Sequence, residues 1–307
     1  MRTIISLRLL SVAIKCIYAA NIQYHTLNNS QENEFDKVSI VGNTDNFWKI
    51  SPTGIYDLTR KISMSSKTVT ISMTGSRKRI IIDPQKTAVV VIDMQNYFLH
   101  PSIIPAAVEG RAIVPALTEV IRGFRLAGIQ ILWIEWGLGE KDLQRMPPSF
   151  IDGYSSVGTD NKLKTFGDNL GRIDGIDAGR KLMRGSWNAQ AWSTLHNFQL
   201  SGLNEGTDMH FYKDRLSGLW SSESSLNKHL SERNITTLFF AGVNTDQCVW
   251  GTMSDAFSRG LDVILVNDLT ATTSPSFATQ MVKMNANLIG FVTNSTEILK
   301  SLSVDIN

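Results

Sequence analysis

Residues 235–267 read ITTLFFAGVNTDQCVWGTMSDAFSRGLDVILVN. An apolar run, Ile235–Ala241, is followed by a polar turn that begins at Gly242. A helical stretch, Val249–Arg259, comes next, and a second apolar run, Asp262–Asn267, closes the segment. Both runs are short, continuous and rich in β-branched or aromatic residues, as in strands buried on both faces of a parallel sheet. Strand, helix and strand in this order form one βαβ unit. The same alternation continues downstream, with a helix over 275–287, a strand over 288–292 and a closing helix over 295–302. Upstream, Ala88–Ile92 (AVVVI) and Ile129–Trp136 (IQILWIEW) are buried strands. Between them Ile113, Leu117, Val120, Ile121 and Phe124 form one apolar helical stripe that stops near Gly128. Thr207–Tyr212 reads as a strand and Ser222–Arg233 as a helix. The expected fold class is α/β, a three-layer α/β/α sandwich with a mainly parallel sheet and right-handed crossovers, spanning residues 84–307.

The rest of the chain does not follow this pattern. Residues 137–190 are rich in Gly, Asp and Lys and carry no strong period, so they form a long loop or lid, a kind of segment that is usually functional. Residues 35–83 form a β-rich N-terminal extension, with a hairpin of Lys67–Met73 and Arg79–Ile82 around Gly75. Residues 1–34 are a leader or disordered segment. The first 31 residues contain Arg2, Arg8 and Lys15 and no acid. Secretory signal, mitochondrial presequence and unaddressed extension all remain open, and with them the location: cytoplasmic, mitochondrial or secreted. Sequons at Asn28, Asn234 and Asn294 bear on the chain only if it is secreted. No apolar stretch is long enough to span a membrane.

The 307 residues hold 30 Lys+Arg against 28 Asp+Glu, a formal charge of +2. The densest basic run, Arg77-Lys78-Arg79, is too short to track phosphates, so nucleic-acid binding is not expected. Hydrophobic residues at 42% and charged residues at 19% exclude a disordered chain. Two cysteines, Cys16 and Cys248, exclude a disulfide scaffold and a Cys-based zinc site.

In parallel α/β sheets ligands sit at the carboxyl ends of the strands. Asp93 directly follows the run AVVVI, although an Asp there is as often a turn cap. Lys213 closes the strand near 207–212, where a lysine alone is more often surface than catalytic. Cys248 sits at or near a helix N-terminus, after Gly242 and a run of polar residues. The helix dipole there favours a thiolate, whereas the ordinary reading of a buried cysteine is a small hydrophobe.

Together TAVVVIDMQNYF around Asp93, the Lys213 segment and FFAGVNTDQCVWGTMSDAFSRGLDVILVNDLTA around Cys248 resemble the isochorismatase-like cysteine hydrolase superfamily. That superfamily includes nicotinamidases, N-carbamoylsarcosine amidohydrolase, ureidoacrylate amidohydrolase and isochorismatases, and the resemblance covers about residues 84–300. It implies a catalytic triad of Asp93, Lys213 and Cys248, a cis peptide between Val243 and Asn244, and an oxyanion hole built from the N–H groups of Asn244 and Cys248. It also implies a small-molecule substrate, no cofactor and a homo-oligomer. The nicotinamidase metal motif Asp-x-His after the second strand is missing, since no histidine lies between His100 and His196, and no metal is expected. Tyr97, Glu135 and Trp136 are the expected substrate-lining residues, with Trp136 stacking on a planar amide and Glu135 binding a ureido N–H; core packing is an equal reading for Tyr97. The implied reaction is hydrolysis of a C–N bond in a small amide, carbamoyl or ureido compound through a Cys248 thioester. Cleavage of the isochorismate enol ether, and a non-catalytic binding protein, are the alternatives.

Overall fold

The computed structural model describes residues 38–61, 67–158 and 161–305. The 1–34 leader, with Cys16 and the Asn28 sequon, lies outside the described residues. Strands β1 (Ser39–Gly42), β2 (Phe47–Ile50), β3 (Ile55–Asp57), β4 (Val69–Ser72) and β5 (Arg79–Ile82) come first. After β6 (Thr87–Ile92) follow helices α1 (Asn96–Leu99), α2 (Val108–Ala112) and α3 (Val114–Leu126), then β7 (Gln130–Trp136). The 137–190 region holds α4 (Glu140–Gln144) and α5 (Pro148–Gly153). It also holds two small hairpins, β8 (Ser156–Val157) with β9 (Leu163–Lys164) and β10 (Arg172–Ile173) with β11 (Ile176–Asp177). Then come α6 (Thr194–Glu205), β12 (Asp208–Lys213), α7 (Ser225–Glu232) and β13 (Thr237–Val243). The chain finishes with α8 (Trp250–Ser258), β14 (Asp262–Ala271), α9 (Ser276–Ile289), β15 (Phe291–Thr293) and α10 (Ser295–Asp305).

Six strands form the main sheet in the order β12-β7-β6-β13-β14-β15, every pair parallel. All residues of β6 and β13 are buried, as their unbroken apolar runs require for central strands. Val89 and Val91 pack into one core with α3 and α10, while Val90 and Ile92 pack into a second core with α7, α8 and α9. Helices therefore cover both faces, and the α/β/α sandwich expected from the sequence is present. The strand order reverses between β6 and β13, which opens a crevice at their carboxyl ends.

The extension forms its own five-stranded sheet, β1-β2-β3-β5-β4. The expected hairpin is its antiparallel β4–β5 pair, with Val69 opposite Ile82 and Ile71 opposite Ile80. This sheet shares a core with Ile298 and Leu302 of α10. Arg60 clamps Asp262 at the start of β14 with bonds of 2.7 and 2.8 Å, and Trp48 Nε1 donates to the same carboxylate at 2.7 Å.

Several boundaries differ from expectation. Strand β14 runs on to Ala271, past the expected end at Asn267, because Leu269, Thr270 and Ala271 stay buried beside the end of β13. Leu288 belongs to α9 and not to the last strand; the helix runs to Ile289 and stops only at Gly290. Helix α6 was not foreseen. Its buried positions are Leu195, Gln199 and Gly202, a stripe with one apolar side chain of any size.

Candidate active site

Local backbone geometry brings three strand ends together. After Ile92 the chain turns sharply, with Asp93 in the left-handed region at φ +51°. Aspartate tolerates this better than most residues, and such outliers concentrate at functional sites. On the neighbouring strand Gly242 has φ +112°, and a Cβ there would lie 2.1 Å from the Ile92 carbonyl oxygen. Only glycine permits this approach, which sets the Val243–Asn244 turn beside Asp93. The Val243–Asn244 peptide is cis. A π-helical turn, Thr245–Val249, then carries Cys248 into α8. The Thr252 hydroxyl donates to the Cys248 carbonyl at 2.7 Å and accepts from Gly218 N–H at 3.1 Å, which fixes that turn.

Lys213, at the end of β12, reaches over Trp136 on β7. Its Nζ lies 3.0 Å from Asp93 Oδ2, 3.4 Å from Cys248 Sγ and 3.9 Å from the centre of the Trp136 ring, and it donates to the Arg215 carbonyl at 3.2 Å. The three side chains are nearly closed off from solvent, with Asp93 at 0%, Cys248 at 3% and Lys213 at 4% exposure. Burial raises the Asp93 pKa to about 6, against the opposing pull of Lys213 and the Cys248 hydrogen bond. Burial, and then the Asp93 carboxylate, push the Cys248 thiol up to about 12, while Lys213 and the Trp136 indole N–H act in the opposite direction. Near neutrality the cluster therefore pairs a protonated thiol with a largely ionised carboxylate, with Lys213 Nζ against both. Such a set is able to supply a nucleophile and a neighbouring base.

Gln95 was not singled out from the sequence. Its Oε1 accepts from Trp136 N–H at 3.1 Å, and its Nε2 donates to the carbonyls of Trp136 at 2.8 Å and Ala189 at 2.7 Å. The end of β7 is thereby pinned beside Asp93, whose Oδ1 also faces Trp136 N–H at 3.3 Å.

The expected lining residues separate. Tyr97 and Trp136 share the core that contains Cys248. The indole of Trp136 already has Lys213 at its ring and stacks on Phe166 at 5.1 Å, so its stacking partners are protein groups. Glu135 requires a correction, for alternation along β7 turns it to the other face of the sheet. There its carboxylate lies 2.7 Å from His210 Nε2 and accepts from Gln199 at 3.1 Å, so it is not presented beside Cys248.

The 137–190 region covers the cluster. Tyr154, following α5, packs on Trp136 and Phe166 with centroids at 5.6 and 5.4 Å, and its ring stacks on Phe150. Its ionisation is suppressed by burial and by the nearby Cys248 and Asp93. Lys181 is fully buried and donates to the Tyr154 carbonyl, to Ser156 Oγ at 3.1 Å and to the Lys164 carbonyl at 3.3 Å. Among the described residues no cluster of three or more His, Cys, Asp or Glu has metal-holding geometry.

Fold and site define a parallel α/β sandwich with a buried Asp, Lys and Cys at its topological switch point. The isochorismatase domain matches residues 87–297, and the chain belongs to that family. Among solved structures it is similar to a cysteine hydrolase from Pseudomonas syringae pv. phaseolicola 1448A, with a TM-score of 0.56 and 18% identity over 79% of this chain and 100% of that one. An isochorismatase family protein from Desulfovibrio vulgaris subsp. vulgaris str. Hildenborough gives 0.53 and 21%, over 71% and 98%. A nicotinamidase from Bacillus subtilis gives 0.50 and 18%, over 68% and 99%.

Proposed function

We propose that the protein is a thiol amidohydrolase that cleaves a C–N bond of a small amide, carbamoyl or ureido compound through a thioester on Cys248. The observation that carries this reading is the position of Lys213 Nζ, 3.0 Å from Asp93 and 3.4 Å from Cys248 in a site closed to solvent. The Asp93 carboxylate takes the thiol proton as the sulfur attacks the carbonyl carbon, and Lys213 supports the developing thiolate. The tetrahedral oxyanion is held by the backbone N–H groups of Asn244 and Cys248, and such donors each contribute about 3–4 kcal/mol in comparable acyl transfers. Asp93, now protonated, passes its proton to the departing nitrogen. A water deprotonated by the same carboxylate then hydrolyses the thioester, which restores the free thiol. Tyr97, in the same core as Cys248, is the proposed substrate-lining residue.

The test is a panel of ureido acids, N-carbamoyl amino acids, nicotinamide and isochorismate, run with the wild type and Cys248→Ala. Hydrolysis of a C–N substrate that falls roughly 10⁴-fold in the variant supports the reading. Isochorismate cleavage that survives in Cys248→Ala overturns it in favour of enol-ether chemistry.

A further inference from the structure

Helix α9 turns its small side chains inward and its large ones outward. It packs on β14 and β15 with Ala278, Val282 and Ala286 buried. On its outer side Phe277, Met284 and Leu288 are 66–69% exposed and Met281 is 38% exposed. Their 4-3-4 spacing puts these four within about 60° of one another around the helix, roughly 130° away from the buried stripe. The helix carries one charged residue, Lys283, and no acid. A helix covered on one side only keeps polar residues on the other, so apolar stripes on both sides mark a helix that is covered on both. Phenylalanine and methionine with charge kept away is also the composition of an interface core.

We propose that this stripe is a self-association face, on which α9 of one copy of the chain lies antiparallel against α9 of a second copy. Large apolar residues at 4-3-4 spacing form the seam of a helix pair, so the surface that fits them is itself a helix. The spacing also reads the same in both directions. About a two-fold axis midway between Met281 and Met284, Phe277 meets Leu288 of the second copy and Met281 meets its Met284. Each large side chain thus finds another, as an isologous contact requires. Lys283 lies at least about 100° around the helix from each of the four and is kept out of the seam. A stable pair covers about 800 Å² on each partner, more than one helix seam supplies. The surface continues past Leu288, where Ile289 lines a largely apolar groove of about 220 Å³ with Val41, Phe47, Trp48, Phe257 and Leu261. Phe257 there is exposed, and Phe277 of the second copy arrives at this end of the helix. Such pairing is independent of the reaction proposed for Cys248.

Light scattering on the full chain at about 10 μM is expected to give at least twice the chain mass. Met284→Glu and Leu288→Glu are each expected to halve that mass, with the circular dichroism spectrum unchanged, because a charge at an exposed position leaves the fold intact. A monomeric wild type overturns the proposal. So does an assembly whose mass neither substitution changes, since its contact then lies elsewhere. Disulfide capture reads the pairing without placing a charge in the seam. Met281→Cys mixed with Met284→Cys and oxidised is expected to give a covalent dimer whose mapped peptides join position 281 of one copy to 284 of the other. Phe277→Cys alone is expected to give none, because its two copies lie about 16 Å apart along an antiparallel pair. A link from 277 to 277, or the absence of a link from 281 to 284, overturns the antiparallel pairing.

Discussion

Asp93 holds its proton more tightly than a solvated aspartate because burial outweighs the favourable field of Lys213. With a pKa raised to about 6 it is mostly ionised at pH 7.5, the form that accepts a thiol proton. On the free enzyme kcat/KM is expected to fall about tenfold per unit below pH 6, and a profile flat down to pH 4.5 contradicts Asp93 as the base. Between the ordinary 3.8 and about 6 the folded chain binds a proton that the unfolded chain has released. This group therefore lowers stability as pH rises through that window. Lys213→Gln removes the positive charge that pulls the Asp93 carboxyl down. The acid limb is then expected above pH 6, with kcat reduced at every pH, as a full pH–rate profile of the variant will show. On position alone Asp93 reads equally as a turn cap and Lys213 more often as a surface residue; the resemblance carried by the segments around Asp93, Lys213 and Cys248 is what singles them out in the sequence. Glu135 was misread for a local reason. One step along β7 exchanges the two faces of the sheet, and the sequence does not say which of Glu135 and Trp136 faces Cys248.

Helices and strands with a strong period were legible, and those that keep polar or small residues inside were not. Strands β6 and β13 announce themselves as unbroken apolar runs, whereas α6 hides Gln199 and Gly202 on its buried side. The lid was legible as a region lacking period but not as a structure. Its order comes from long-range contacts, chiefly Lys181 donating to the Tyr154 carbonyl, Ser156 and the Lys164 carbonyl while lying 5.0 Å from the Tyr97 ring centre. Lys181→Met removes a donor from three acceptors at once. Amide exchange over 154–166 is expected to accelerate by at least tenfold, with β6 and β13 unchanged. kcat/KM is expected to fall because Tyr154 and Phe166 no longer pack firmly on Trp136. Hydrogen-exchange mass spectrometry checks the first point, and unchanged protection over 154–166 contradicts the latch.

At the scale of the whole molecule, the extension and the parallel sheet share side chains across their junction. Trp48 and Tyr56 pack on Phe291 with centroids at 5.3 and 5.6 Å, and Arg60 meets Asp262, both nearly buried, in a two-pronged pair. Arg60→Ala leaves the Asp262 carboxylate buried without its cation, which costs about 3–5 kcal/mol in comparable sites. Urea unfolding of the full chain is expected to show that loss, and a change below about 1 kcal/mol means that the two sheets are not coupled through this pair. The Arg60–Asp262 pair sits at the amino end of β14, whereas Asp93 and Lys213 sit at the carboxyl ends of β6 and β12. The account as a whole turns on a covalent step at one sulfur. Acid-quenching the protein during turnover of its amide substrate and mapping the peptides by mass tests this most directly. The peptide containing Cys248 is expected to carry the mass of the acyl group, and Cys248→Ala to carry none and to be inactive. Wild-type turnover by Cys248→Ala, with no adduct on the native thiol, would contradict it.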